Sequence, residues 1–238
     1  MENFNYRLTI SYDGTLFFGW AKQPGLRTVQ GIMEEKISTI CNEKIHLNAS
    51  GRTDKYVHAL NQVLNFKTKK QFKPKELKKI LNNIIDKDIY VKEVTIVDND
   101  FHARFSALNK TYKYVINTKY DVFQRNYSLY LNYDIDIKKI KKLANFFLNE
   151  HDFSSFSTSS LKDNVRTINW IKIKKQKDLI IILINANGFL RSMVRMIVAS
   201  LLHDDEEKIK TLLSNPGKGK SIEKVYGCGL YLLKVNYK

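Results

Sequence analysis

Three short stretches of the chain combine residue types that can do chemistry. The first is Gly51-Arg52-Thr53-Asp54, where a carboxylate that is ionised at neutral pH follows a glycine, a guanidinium and a hydroxyl. Behind a strand, such a run makes a turn that lifts short polar side chains out of a sheet into a cleft; taken alone, it suits an Asx-turn or a cap at least as well. The second stretch is Phe101-His102-Ala103-Arg104-Phe105-Ser106-Ala107, followed by Lys110-Thr111-Tyr112-Lys113-Tyr114. The third is Gly188-Phe189-Leu190-Arg191-Ser192-Met193-Val194-Arg195. Arg191 and Arg195 are four residues apart, so on a helix they share a face and repel, and Arg191 falls at the N-terminal end where cations are disfavoured. Anions should therefore sit there, Asp54 being one candidate and a phosphate the other.

The remaining reactive side chains are less suggestive. Cys41 and Cys228 lack the C-x-x-C spacing of a zinc or redox site and read as reduced thiols in packed positions. His46, His102, His151 and His203 show no metal-ligand spacing, so no metal is expected. Gly217-Lys218-Gly219-Lys220-Ser221 does not match a phosphate-binding P-loop, and no G-x-G-x-x-G occurs.

The charge balance is 40 Lys plus Arg against 24 Asp plus Glu, a net +16 with a pI near 9.6, which favours a polyanionic partner such as nucleic acid. Of these cations 32 are Lys and only 8 are Arg, in a chain rich in Asn and Ile, as an AT-rich coding sequence would produce. Part of the charge is thus codon usage. Where a generic cation suffices this background supplies Lys, which makes Arg informative. Arg27, Arg52, Arg104, Arg166, Arg191 and Arg195 mostly lie among Gly, aromatic or small residues rather than in lysine runs. A planar five-donor fork grips phosphate or carboxylate in two places, as Lys cannot.

These residues need a scaffold, and the chain can build one. With 238 residues and 43% hydrophobic composition it can fill one large domain or two small ones. No segment has the length and apolarity to span a bilayer, and the chain reads as soluble and cytoplasmic. Tyr6, Leu8, Ile10 and Tyr12 alternate with Arg7, Thr9 and Ser11 as in a half-buried strand. Thr28 caps a helix to Cys41; a strand around Ile45 to Ala49 leads into the Asp54 run. Val63 to Lys67, a helix Pro74 to Leu81 and a strand Ile89 to Val97 complete a β, α, β, β, α, β half. The second half offers strands Lys110 to Asn117, Thr167 to Lys175, Leu179 to Ile184 and Gly229 to Val235, with helices Ile137 to Leu148 and Arg191 to Leu202. The continuous apolar run Leu179 to Ile184 predicts a central strand covered on both faces. The architecture is α+β in two similar halves, 1–107 and 108–238.

The three clusters, taken with Tyr12-Asp13-Gly14, Gly19-Trp20, Arg27-Thr28-Val29-Gln30, Val57-His58-Ala59, Asp152-Phe153-Ser154-Ser155-Phe156, Arg166-Thr167-Ile168 and Gly229-Leu230-Tyr231-Leu232, resemble the TruA family of tRNA pseudouridine synthases in order and nearly end to end. The resemblance implies two ferredoxin-like or RRM-like halves joined through their antiparallel sheets, with a basic catalytic cleft between them. It implies a cofactor-free enzyme that isomerises uridines in the anticodon arm of tRNA, as a homodimer in which both subunits present one RNA arm. It places the nucleophile at Asp54, its basic partner at Arg195 and a base-stacking ring at Tyr112. Asp54 would belong to the first half, Tyr112 and Arg195 to the second. The base must leave its stack to react, so a pocket is required; Arg52, His58 and Arg104 are expected at its rim and Arg191 on RNA. His58 equally suits a satisfied polar residue at a turn, Tyr114 suits a core aromatic, and Trp20 and Trp170 suit packing.

Where the family usually reads Asp-Ala-Gly-Val-His, this chain reads Asp54-Lys55-Tyr56-Val57-His58. Tyr56 either stacks on a base or fills the space one would occupy. Ala21 replaces a glutamine, Ile85-Asp86 replaces Leu-Pro, and Cys228 replaces an alanine. These departures leave open a different tRNA position or a ribosomal RNA as target. A catalytically inactive RNA-binding copy is the alternative from another class, against which the joint presence of Asp54, Tyr112 and Arg195 argues.

Overall fold

A computed structural model describes residues 4–159, 163–221 and 223–238. The chain divides into two compact units, one running through Leu108 and taking back Leu232–Lys238, the other comprising Asn109–Tyr231.

In the first unit β1 (Phe4–Tyr12), α1 (Val29–Cys41), β2 (Asn48–Ala49), β3 (His58–Thr68), α2 (Pro74–Ile84) and β4 (Ile89–Val97) follow in the expected β, α, β, β, α, β order. β1 lies between β3 and β4 and is antiparallel to both, and β2 pairs with β3. The alternation in β1 buries Tyr6, Leu8, Ile10 and Tyr12, while α1 adds Val29, Met33 and Ile37 and α2 adds Leu77 and Leu81. Thr28 caps α1 by accepting the Gly31 N–H at 3.3 Å. Asn42 ends it in the left-handed region, donating its N–H to the last carbonyls.

A polar network runs through this core. Asn65 Nδ2 donates to Asn5 Oδ1 at 2.9 Å, Asn5 Nδ2 donates to the carbonyls of Asp98 and Phe101, and Ala103 N–H donates to Asn65 Oδ1 at 2.9 Å. Two buried amides thereby have partners and fix the loop that carries Arg104.

In the second unit β5 (Asn109–Asn117), β6 (Leu129–Tyr130), α3 (Ile137–Ala144), β7 (Asn149–Asp152), β8 (Val165–Gln176), β9 (Leu179–Ala186), α4 (Met193–His203) and α5 (Glu206–Ser214) lead to β10 (Leu230–Asn236), which returns to the first unit from Leu232. The strand order is β5-β9-β8-β7, with antiparallel pairs, and β6 runs parallel to β5.

Three expectations are corrected here. β9 is central, but its burial alternates: Ile180, Ile182 and Ile184 are inside, whereas Leu179, Ile181 and Leu183 are only partly covered, so one face is less covered than a continuous apolar run implies. The helix from Ile137 ends at Ala144 and tightens into a 3-10 turn, Asn145–Phe147. Helix α4 begins at Met193, not Arg191, because Ser192 sits at φ 62° in the left-handed region and a Leu190–Met193 turn precedes it.

Candidate active site

Asp54 stands on a turn held by its neighbours. Thr53 O accepts the Trp20 N–H at 3.0 Å, Asp54 O accepts the Val57 N–H at 3.2 Å, and Thr53 Oγ1 bonds the Tyr12 hydroxyl at 2.8 Å. Burial pushes the Tyr12 hydroxyl above its ordinary range despite its bonds to Thr53 and Gln62, so it remains a neutral partner. Ser50 Oγ donates to Gln62 Oε1 at 2.6 Å and Gln62 Nε2 to Gly51 O at 2.8 Å, which ties the incoming side of the turn to β3.

The outer wall is built on glycine. A Cβ on Gly14 would lie 2.2 Å from Val57 O, and one on Gly19 would lie 2.7 Å from Thr53 O. Gly19 also has φ +91°, outside what L side chains adopt comfortably. The segment after β1 therefore packs backbone to backbone against the Asp54 turn.

His58 is 2% exposed and lies within that wall, not at an accessible rim. Its Nδ1 accepts the Gly14 N–H at 3.0 Å and also lies 3.1 Å from Asp13 Oδ1. One nitrogen cannot both accept from the amide and donate to the carboxylate. The directed Gly14 amide assigns Nδ1 as acceptor and places the ring proton on Nε2, while Asp13 Oδ1 receives Thr15 N–H at 2.9 Å and Thr15 Oγ1 at 2.6 Å. Of the two roles open to His58, the satisfied polar residue at a turn fits this placement.

Arg27 braces the same segment. Its Nη2 lies 2.7 Å from both Asp86 and Asp88 carboxylates, and its guanidinium stacks 4.2 Å from the centroid of Phe17. Asp86, one of the departures from the family pattern, is thus engaged within the fold. Lys cannot reproduce a stacked fork. Arg27→Lys is expected to cost about 1 kcal/mol and lower the thermal midpoint by roughly 2–4 °C, read by circular dichroism; an unchanged midpoint refutes the brace.

Arg52 and Arg104 are exposed. The Arg104 guanidinium lies 5.5 Å from the Phe105 centroid, and Phe105 itself is 76% exposed. Tyr237 Oη donates to Ala103 O at 2.6 Å, adding a C-terminal anchor to this loop.

In the second unit Tyr112 and Tyr114 share a face of β5, as the alternation requires. Tyr112 is buried and meets Phe189 edge to face, with centroids 5.0 Å apart. Tyr114 is wholly buried, lies under Gly229 and donates its hydroxyl to Tyr226 O at 2.7 Å, which makes it a core residue. Arg195 is a buried cation on α4 whose Nε donates to Val225 O at 2.7 Å. Arg191 is exposed and precedes the helix, so the two arginines are not the pair on one helical face that their spacing suggested; their mutual repulsion no longer argues for an anion there. Trp20 is packed inside and Trp170 is partly exposed.

Sequence reasoning did not find the Val225 carbonyl that holds Arg195 or the Phe189 edge against Tyr112. The first is a contact across 30 residues of chain with no local signature. Phe189 lies inside a cluster already singled out, and an aromatic beside a suspected stacking ring was an available signal. Among the described residues, no three His, Cys, Asp or Glu side chains converge as a metal-binding group, and no helix is long and apolar enough to cross a membrane.

Residues 8–106 and 143–238 match the family described as tRNA pseudouridine synthase. The tRNA pseudouridine synthase A of Malacoplasma penetrans is 48% identical over 240 residues, covering 98% of this chain and 99% of that protein. Its namesakes from Ureaplasma parvum serovar 3 and Mycoplasma genitalium are 47% and 40% identical, with 98% and 96% of this chain and 100% and 97% of theirs covered. Among solved structures, a chain of an H/ACA RNP bound to a substrate RNA containing 2'-deoxyuridine gives a TM-score of 0.37 at 14% identity, with 94% of this chain spanning 46% of that one. An α+β scaffold with a carboxylate on a braced turn, matched along almost its whole length, is an enzyme of the pseudouridine synthase class, an isomerase. Within that class the chain belongs to the TruA family of tRNA pseudouridine synthases.

Proposed function

We propose that this chain converts uridines of the tRNA anticodon arm to pseudouridine, with Asp54 as the nucleophile and without a cofactor. The observation that carries the reading is the Asp54 turn, fixed by Trp20, Tyr12, Val57 and two tightly packed glycines. A nucleophile held this way needs no reorganisation before attack. The carboxylate adds transiently to the uridine, the C1′–N1 bond breaks and uracil turns while held. C1′ then joins C5 and the bond from the carboxylate to the uridine breaks, returning Asp54 as the free carboxylate; the C5 proton leaves and N1 ends protonated. Atoms balance without an added reagent, as an isomerisation requires.

In this reading the first half, 1–107, supplies Asp54 and the second, 108–238, supplies Tyr112 and Arg195. Tyr112 offers a ring already oriented by Phe189, beside which the target base would lie. Arg195, a buried guanidinium whose Nε donates to the Val225 carbonyl, would pair with Asp54 and position it. Arg52, Arg104 and Arg191 would take RNA phosphates, as exposed forks do. His58 would act at one remove, by holding the Gly14 turn. The enzyme would work in the cytoplasm as a homodimer in which both subunits present one RNA arm to the active site.

The test is to map pseudouridine by carbodiimide-dependent primer extension in tRNA and ribosomal RNA treated with the purified chain. Stops in the anticodon arm are the expected result. A mark at another tRNA position or in ribosomal RNA would overturn the target, and no mark in any RNA would leave the binding-only alternative. Binding alone weakens with salt under all three readings and does not separate them.

A further inference from the structure

Directly after Asp54, the Lys55 ammonium lies 4.1 Å from the Phe18 ring centroid and 4.7 Å from that of Tyr56. The rings belong to different segments and both are partly exposed, Phe18 at 42% and Tyr56 at 41%. The Phe18 segment is fixed by the Phe18 N–H donating to Arg27 O at 2.9 Å and by Gly19 against the turn. Tyr56 holds φ +67°, a left-handed conformation that favours glycine and costs a tyrosine free energy. The fold thus maintains a strained aromatic and an aromatic-bound cation next to its candidate nucleophile, and leaves both accessible. The Tyr56 ring remains partly open to solvent.

We infer that Phe18, Lys55 and Tyr56 form a nucleotide-recognition platform for the residue adjoining the target uridine: the Tyr56 ring stacks on that base and Lys55 pairs with its phosphate. The chemistry follows from the geometry. Every base has a π face that an exposed aromatic can take, and extruding a uridine leaves its neighbour without a stacking partner. An ammonium over two rings keeps N–H donors for a phosphate oxygen, and having already surrendered much of its rotamer freedom it loses less on binding. Phe18 sets the position of Lys55 and is a positioning residue. The inference deepens the proposed function and rests on its assignment of an RNA substrate to the Asp54 site.

The experiment is a cycle between protein and RNA. tRNA carrying an abasic nucleotide on the 5′ or the 3′ side of the mapped uridine is turned over by wild type and by Tyr56→Gly under single-turnover conditions. With wild type, one of the two abasic substrates should lose about tenfold in kcat/KM, mostly through KM. Tyr56→Gly should lose about as much on intact tRNA and nothing further on that abasic substrate. Losses that multiply, or no loss on either abasic substrate, overturn the platform. Lys55→Gln should flatten the dependence of log Kd on log salt by roughly 0.7–0.9, and Phe18→Ala should do part of the same; an unchanged slope removes the phosphate contact. Relief of the left-handed strain should keep the Tyr56→Gly melting midpoint at or above that of wild type, so a loss of function cannot come from unfolding. Failure of the proposed function appears separately, as wild type leaving intact tRNA unmodified.

Discussion

Asp54→Ala is expected to lower pseudouridine formation by about 10⁴-fold or more, while the protein still binds tRNA. The substitution removes the only carboxylate on the turn and leaves in place the groups that hold it: Thr53 with Trp20 and Tyr12, and the Asp54 carbonyl with Val57. Two further variants divide the effect. Asp54→Asn keeps the shape and removes the nucleophilic charge, so it should match the alanine variant. Asp54→Glu keeps the charge and displaces it by a methylene, a misplacement of about 1 Å or more that costs on the order of 10²-fold where attack geometry matters. Pseudouridine counted by mass spectrometry of digested tRNA reads all three. Turnover above about a hundredth of wild type in Asp54→Ala would end the nucleophile assignment, which the electrostatic roles of an aspartate could not rescue.

The second large effect comes from a residue without a side chain. A methyl group on Gly14 would meet the carbonyl oxygen and carbon of Val57 at 2.2 and 2.6 Å, and both atoms belong to the backbone. Neither can yield as a flexible side chain does. Gly14→Ala must displace either the end of β1 or the turn from Asp54 to Val57, and it strains the Gly14 amide donating to His58. Overpacking of this kind costs about 3 kcal/mol, or roughly 6–12 °C in the thermal midpoint of a chain this size. Because one of the two elements that can yield carries Asp54 and the other packs directly on it, kcat should also fall, by about 10²-fold where the turn moves, in the protein that remains folded. Differential scanning calorimetry and single-turnover rates check the two halves separately. Wild-type behaviour in both would mean that the close approach does not hold the turn.

Much of the fold was legible because its elements are driven by local pattern. The alternation of β1, the Thr28 cap of α1 and the apolar strands β4, β5 and β9 all carry their own signature, and each appears where its periodicity places it. β7 did not, since Asn149-Glu150-His151-Asp152 has no apolar alternation and is a strand only by its pairing with β8. α5 was readable and went unread: Asp205 caps it, Glu206 and Glu207 stand in its first turn, and Ile209 and Leu212 are its buried positions. The start of α4 was missed for a different reason. Nothing in Arg191-Ser192-Met193 announces a serine at φ 62°, and that single dihedral separates Arg191 from the helix carrying Arg195.

The candidate site shows the same division. Asp54, Tyr112 and Arg195 were picked out by family resemblance, while what fixes Tyr112 and Arg195 locally, Phe189 and the Val225 carbonyl, is tertiary. His58 sat on the boundary: its residue type permits a rim or a turn, and only the Gly14 amide at 3.0 Å distinguishes them.

Bonds that fix the Asp54 turn come from Trp20, Tyr12, Val57 and Gln62 to Thr53, Asp54 and Gly51, and the side chains of Lys55 and Tyr56 supply none of these. Those two positions can therefore change during descent, or in a laboratory library, with little disturbance to the carboxylate next to them. If the proposed platform reads the RNA, substrate preference can drift or be selected across this pair while the reaction itself is inherited intact, and residues 55 and 56 become the place to begin redirecting the enzyme to another RNA.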